Sequence, residues 1–129
     1  MATPDRYFTF HADTFSSGTK GRAFSRIRNN VFVVDDPSRP GYDGPGEEPG
    51  AGELFIAGIT TCAGLMMERI ARAEELPLER VHVGMDGTLD TQADFGGHPP
   101  VLDSARMLFT FKGLTGEQAE QLVETFKRR

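Results

Sequence analysis

The chain has 129 residues, 38% hydrophobic and 26% charged, with a formal net charge of -5 and a single cysteine. This length and composition predict one globular domain over residues 1–129 with a real core, not a disordered or fibrous chain. The acidic balance excludes a nucleic-acid partner held mainly through its phosphates. The lone cysteine excludes an internal disulfide, and the N-terminus has no apolar signal-peptide core, so a reduced thiol in the cytoplasm is expected.

The stretch Tyr7-Phe8-Thr9-Phe10-His11-Ala12 alternates, with Phe8, Phe10 and Ala12 on one face. It predicts a first strand that runs on towards Phe15. A turn at Ser17–Gly21 leads into a second strand over Arg22–Arg28, paired with the first as a hairpin. Val31–Val34 is β-branched and aromatic, and predicts a third strand. From Asp35 to Gly52, prolines and glycines are too dense for any regular element. A loop of that length is either a functional lid or a solvated linker.

Gly52 to about Leu76 then predicts the central helix, stopped by Pro77. Phe55, Ile59, Cys62, Met66 and Ile70 fall on one stripe at helical spacing. No charged residue stands between Leu54 and Met67. A helix without a polar face is expected to be buried on all sides, with the Cys62 thiol pointing inward. Glycine and threonine interrupt the run, which argues against a bilayer span and for the core of a soluble protein. Val81–Leu89 and Ala105–Lys112 alternate as a fourth and fifth strand, separated by a loop at Phe95–Pro100. Thr115 and Gln118 have the spacing of a capping box, so a second helix opens there. The order predicts an α+β fold with antiparallel sheets. Three strands cannot cover a helix that is apolar all round, so two chains are expected to share one core.

Cys62 is the candidate nucleophile. Free cysteines are commonly buried and inert, and the thiolate is the reactive form. A reactive Cys62 therefore needs a cation or a hydrogen-bond donor close by. Arg22, Arg26 and Arg28 share a strand face and could supply one, as could Lys20; the plainer reading is a solvated sheet face. Glu53 stands nine positions before Cys62, about half a turn round the helix at roughly 100° per residue. Its simpler role is to favour the start of the helix. His11, His82 and His98 are scattered, and no metal site or cofactor motif is expected.

The segment Glu53–Cys62, preceded by a Gly/Pro-rich loop and followed by Leu76-Pro77-Leu78-Glu79-Arg80-Val81-His82-Val83, resembles the OsmC/Ohr superfamily. Val33-Val34-Asp35-Asp36-Pro37 is similar to its OsmC-like branch. The resemblance covers the chain from about Gly18 onward. It implies antiparallel sheets around a long buried central helix, in an intertwined homodimer with its cysteines near the subunit interface. It also implies reduction of organic hydroperoxides by a thiolate that becomes a sulfenic acid. On this pattern Cys62 is the peroxidatic thiol, and Glu53 matches the glutamate of the OsmC-like branch. Arg22 matches a second arginine of the Ohr motif, whereas Thr19 stands where the Ohr arginine would be and Gly52 where the Ohr glutamate would be. The family's resolving cysteine follows the last helix, at about the point where this sequence reaches Arg129; either the protein runs on beyond Arg129 to such a cysteine, or this member lacks one, and the expected reductant is an external thiol. Expected partners are a second copy of the chain and a small organic hydroperoxide, with no nucleic acid and no membrane. The alternative is a non-catalytic dimer of the same fold that binds a small apolar ligand.

Overall fold

The computed structural model describes residues 6–90 and 102–129. The chain divides into two compact units, one ending at Leu54 and the other beginning at Phe55.

The first unit is a three-stranded antiparallel sheet in the order β1 (Asp13–Ser16), β2 (Arg22–Ile27), β3 (Asn30–Asp35). In the register, Phe15, Phe24 and Val33 form one cross-strand row, and Arg22 lies opposite Asp35. The expected strand over Tyr7–Ala12 is not formed; β1 begins at Asp13. The register explains this. Asp13 pairs with Arg26, so Ala12 would meet Ile27 and His11 would meet Arg28. Arg28 already has φ 56° in the turn to β3. β2 therefore has no edge left to offer, and the aromatic segment stays unpaired. Tyr7, Phe8 and Phe10 are exposed.

The segment after β3 is folded rather than slack. The Asp36 amide donates to Gly21 O at 2.8 Å, Gly44 to Pro37 O and Gly46 to Asp36 O, both at 3.1 Å, and Asp35 to Pro49 O at 3.1 Å. Its backbone passes so close to the sheet turn that a Cβ on Gly21 would lie 2.5 Å from Gly44 Cα. Gly21 also has φ +75°, a conformation that favours glycine.

Helix α1 (Ala51–Ala73) starts in the first unit and continues through the second. Its 23 residues make it long and apolar enough to cross a membrane, by length and composition only. After Met67 its turns become amphipathic. Those turns pack in protein. Met67, Ile70 and Ala71 join Leu122 in the buried cluster, with Phe109, Phe111 and Phe126 packed against it.

In the second unit, β4 (Arg80–Thr88) and β5 (Ser104–Lys112) form an antiparallel ladder in which Val81 faces Phe111 and Val83 faces Phe109. Helix α2 (Gly116–Lys127) follows Thr115, whose side chain accepts from the Gln118 amide while the Gln118 side chain accepts from the Thr115 amide. The capping box read from the sequence is thus present. The fold is α+β with two antiparallel sheets and a long helix, as expected. Within one chain, however, α1 is covered only over part of its second half. Phe55 is 61% exposed, Leu65 54%, and Cys62 is also exposed, so the expected inward-pointing thiol is not found. The cause is one of supply. The residues of α1 that become buried, Ala63, Met67, Ile70 and Ala71, lie on one side, and Cys62 lies about 100° round from Ala63.

Candidate functional site

Arg22 opens β2 opposite the last residue of β3. Its Nε donates to Asp35 Oδ1 at 2.7 Å and its Nη2 to Asp35 Oδ2 at 2.9 Å. Nη2 also reaches Glu47 Oε2 at 3.2 Å. Asp35 Oδ2 further accepts the amides of Glu47 and Glu48, each at 3.0 Å. Asp35 is 2% exposed and is the one buried charged residue among those described. The Arg22 hydrogen bonds hold its carboxyl well below the usual carboxylate range; burial opposes this, and the Glu48 and Glu47 amides reinforce it. The same bonds, with Asp35 first and Glu47 second, push the Arg22 guanidinium up from its ordinary value. Paired bonds from a planar guanidinium to one carboxylate are the strong, orienting kind.

Glu53 lies in the first turn of α1, and its Oε1 accepts the Gly50 amide at 3.0 Å. This is the reciprocal half of a capping box, with the carboxylate also complementing the positive end of the helix dipole. The simpler role read for Glu53 is therefore present. Arg26 donates to Asp13 Oδ2 at 2.7 Å and lies over the Phe15 ring at 5.3 Å. His11 contacts the other Asp13 oxygen at 2.9 Å. The hydrogen bond from Arg26, and then that from His11, lowers the Asp13 carboxyl. Arg28 leaves the strand face for the turn, which corrects the expected three-arginine row to Arg22 and Arg26.

In the second unit, Cys62 is a free, exposed thiol on α1. Its neighbours three and four positions away on the helix are Gly58, Ile59, Leu65 and Met66, none of them charged, with Phe55 seven positions before and Arg69 seven after. An open depression of about 360 Å³ is lined by Glu68, Arg72, Leu76, Leu78, Glu79 and Arg80, and does not include Cys62. Arg22 and Glu53 belong to the first unit and Cys62 to the second. The loop expected at Phe95–Pro100, with His98, lies outside the described residues. Among the described residues, no group of three His, Cys, Asp or Glu side chains could hold a metal ion.

The sequence reading missed Asp35 and Glu47 as partners of Arg22. For Asp35 the signal was available: a tight hairpin centred on Arg28-Asn29 puts residue 35 across from residue 22. Glu47 reaches Arg22 only because the loop folds back, and nothing in its sequence pattern announces that.

The two sheets, the long helix and the single thiol on it define the class of protein. This chain belongs to the OsmC family of OsmC-like proteins, whose family model matches residues 44–129. Solved structures agree in fold. An OsmC-like protein from Mycoplasma pneumoniae superposes with a TM-score of 0.77 at 10% identity, covering 95% of this chain and 82% of that one. An organic hydroperoxide resistance protein OsmC from Legionella pneumophila gives 0.73 at 21% identity, covering 96% and 85%. An organic hydroperoxide resistance protein from Elizabethkingia anophelis gives 0.75 at 19% identity, covering 95% and 83%. No curated protein sequence matches the chain.

Proposed function

We propose that this chain reduces organic hydroperoxides in a stress-response role, with Cys62 as the reacting thiol. The observation that carries the reading is an accessible thiol within the uncharged stretch Leu54–Met67 of α1, with Phe55 and Leu65 also exposed. Such a stretch suits a peroxide with an apolar organic group. Family membership and the hydroperoxide resistance proteins of like fold support the same class of chemistry.

The Cys62 thiolate attacks one peroxide oxygen. An S–O bond forms, the O–O bond breaks, and the leaving alkoxide takes a proton to become an alcohol. Sulfur loses two electrons and becomes a sulfenic acid, while the peroxide gains them. An external thiol condenses with the sulfenic acid, releasing water and leaving a mixed disulfide. A second external thiol then frees Cys62 as a thiol and leaves as the external disulfide. Arg22 is the proposed donor to the oxygen on which charge develops, and Glu53 the carboxylate that fixes the start of α1.

The reading includes a homodimer. Phe15, Phe24, Ile27, Phe32, Phe55 and Leu65 are all exposed large hydrophobics in the single chain. Exposed apolar side chains on each unit are of the kind that association covers, and a second copy of this chain is the proposed occupant. The exposed apolar side chains around Cys62, Phe55 and Leu65, favour one other reading, a dimer that binds a small apolar ligand without reaction. Turnover of cumene hydroperoxide with dithiothreitol separates the two. The wild type should consume peroxide and Cys62→Ser should not; a silent wild type, or an active Cys62→Ser, overturns the peroxidase reading.

A further inference from the structure

Arg80 opens β4 directly opposite Lys112, the last residue of β5. Like charges facing each other across two strands cost stability. Lys112 has a counter-charge in Glu79, with Nζ 3.8 Å from Oε2. Arg80 has no hydrogen bond or ion pair among the described residues, and neither has Arg72 in the last turn of α1. Both guanidiniums line the open depression of about 360 Å³, together with Glu68, Leu76, Leu78 and Glu79. All six residues belong to the second unit, so one compact unit builds the depression by itself.

Backbone bonds fix its apolar part. The Leu76 amide closes the end of α1 on Ala71 O at 2.8 Å. The Leu78 amide donates to Leu76 O and the Glu79 amide to Lys112 O, both at 2.9 Å. Gly113 passes so close that a Cβ there would strike Pro77 O. Leu76 and Leu78 are half-buried against the hydrophobic cluster. An apolar surface is thus held ready beside two arginines. Charge then selects the ligand. Glu79 answers Lys112, and Glu68 stands four positions before Arg72, the helix spacing at which a carboxylate offsets a cation. Arg80 is left over, so the rim carries one positive charge in excess.

We propose that this depression binds a small organic monoanion, a carboxylate on a compact apolar body. The carboxylate meets Arg80 and Arg72, and the body lies on Leu76 and Leu78. The volume sits at the lower end of the ~300–1,000 Å³ of small-molecule sites, which suits a single-ring acid. Cys62 is not part of the lining, so the site stands apart from the hydroperoxide reading.

The test is titration of the isotope-labelled full chain with 3-phenylpropanoate, followed by amide NMR shifts. Saturable shifts are expected at Leu76, Leu78 and Arg80, with a dissociation constant of about 1–10 mM, fitting a ligand of few atoms in an open site. 3-Phenylpropan-1-ol has the same body without charge, and phenylalanine has no net charge. Each should bind at least about fivefold more weakly, as should the acid to Arg80→Gln, in line with losing a hydrogen bond between charged groups. Arg80→Gln also removes the like-charge pair, so its melting temperature without ligand should match or exceed that of the wild type. Arg72→Gln should weaken binding likewise, and carries the test if Arg80→Gln does not fold. Equal binding of the alcohol or of phenylalanine overturns the proposal, as does unchanged affinity in a folded variant. Shifts that fail to saturate by about 50 mM, or that centre on Phe55 and Leu65 instead, also overturn it.

Discussion

Leu122→Ala probes the one place among the described residues where both helices contribute fully buried side chains. Leu122 and Met67 are each 0% exposed and share a cluster with Ile70 and Ala71. Truncating a buried leucine removes its transfer free energy and leaves a cavity, together worth about 2–5 kcal/mol. Phe109, Phe126 and Val123 pack against the cluster, and the Phe109 and Phe126 rings meet edge to face at 5.4 Å. Those rings limit how far the site can collapse, which favours the upper half of the range. For a chain of this length the melting temperature should fall by about 10–20 °C. Met67→Ala should cost a similar amount. Because both truncations open one shared space, the double variant should depart from additivity by about 0.5–3 kcal/mol. Urea unfolding followed by far-UV circular dichroism reads all three, at one fixed protein concentration so that any subunit association contributes equally. A Leu122→Ala cost under about 1 kcal/mol would refute the placement of the core, since such a value belongs to surface substitutions.

Two further outcomes follow from the first unit and from the exposed helix face. Asp35 has a depressed folded-state pKa, so its contribution to stability is present above its unfolded value of about 4 and lost as pH falls through the folded one. Acid unfolding monitored below about pH 4 should therefore be steeper for the wild type than for a folded Asp35→Asn; identical acid profiles would remove Asp35 from the account. Size-exclusion chromatography with light scattering should give a dimer for the wild type and a smaller or aggregated species for Leu65→Glu, whereas a well-behaved wild-type monomer at micromolar concentration would end the homodimer proposal.

Much of the fold was legible because local patterns coincided with local structure. Alternation in Val81–Thr88 and Met107–Phe111 marked β4 and β5, and Thr115 with Gln118 marked the start of α2. The failures have a common cause: each depended on what lay across from a segment. Tyr7–Ala12 has a strand pattern, but the hairpin turn removes the edge it would pair with. The α1 pattern gives apolar residues all round, yet pattern alone does not say which of them the rest of the chain covers. At the candidate site, Cys62 and Glu53 were singled out from spacing and resemblance. The attachment of Arg22 to Asp35 required the hairpin register, and its second attachment to Glu47 required a loop path that composition leaves open.

The close passage of Gly21 by Gly44 divides the long loop into parts with different freedom to vary. Around the crossing, a methyl group on Gly44 would strike Asp36, and one on Gly46 would lie 2.8 Å from the Ser38 nitrogen. A Cβ on Gly41, by contrast, meets nothing within 4 Å, and only its φ of +93° favours glycine there, so an insertion should leave Gly41 itself in place. Foreign sequence, such as an epitope or a fluorophore attachment point, therefore belongs at the tip near Arg39–Tyr42. The crossing itself works like the shank of a buckle, narrow by necessity, whatever ornament the tip carries.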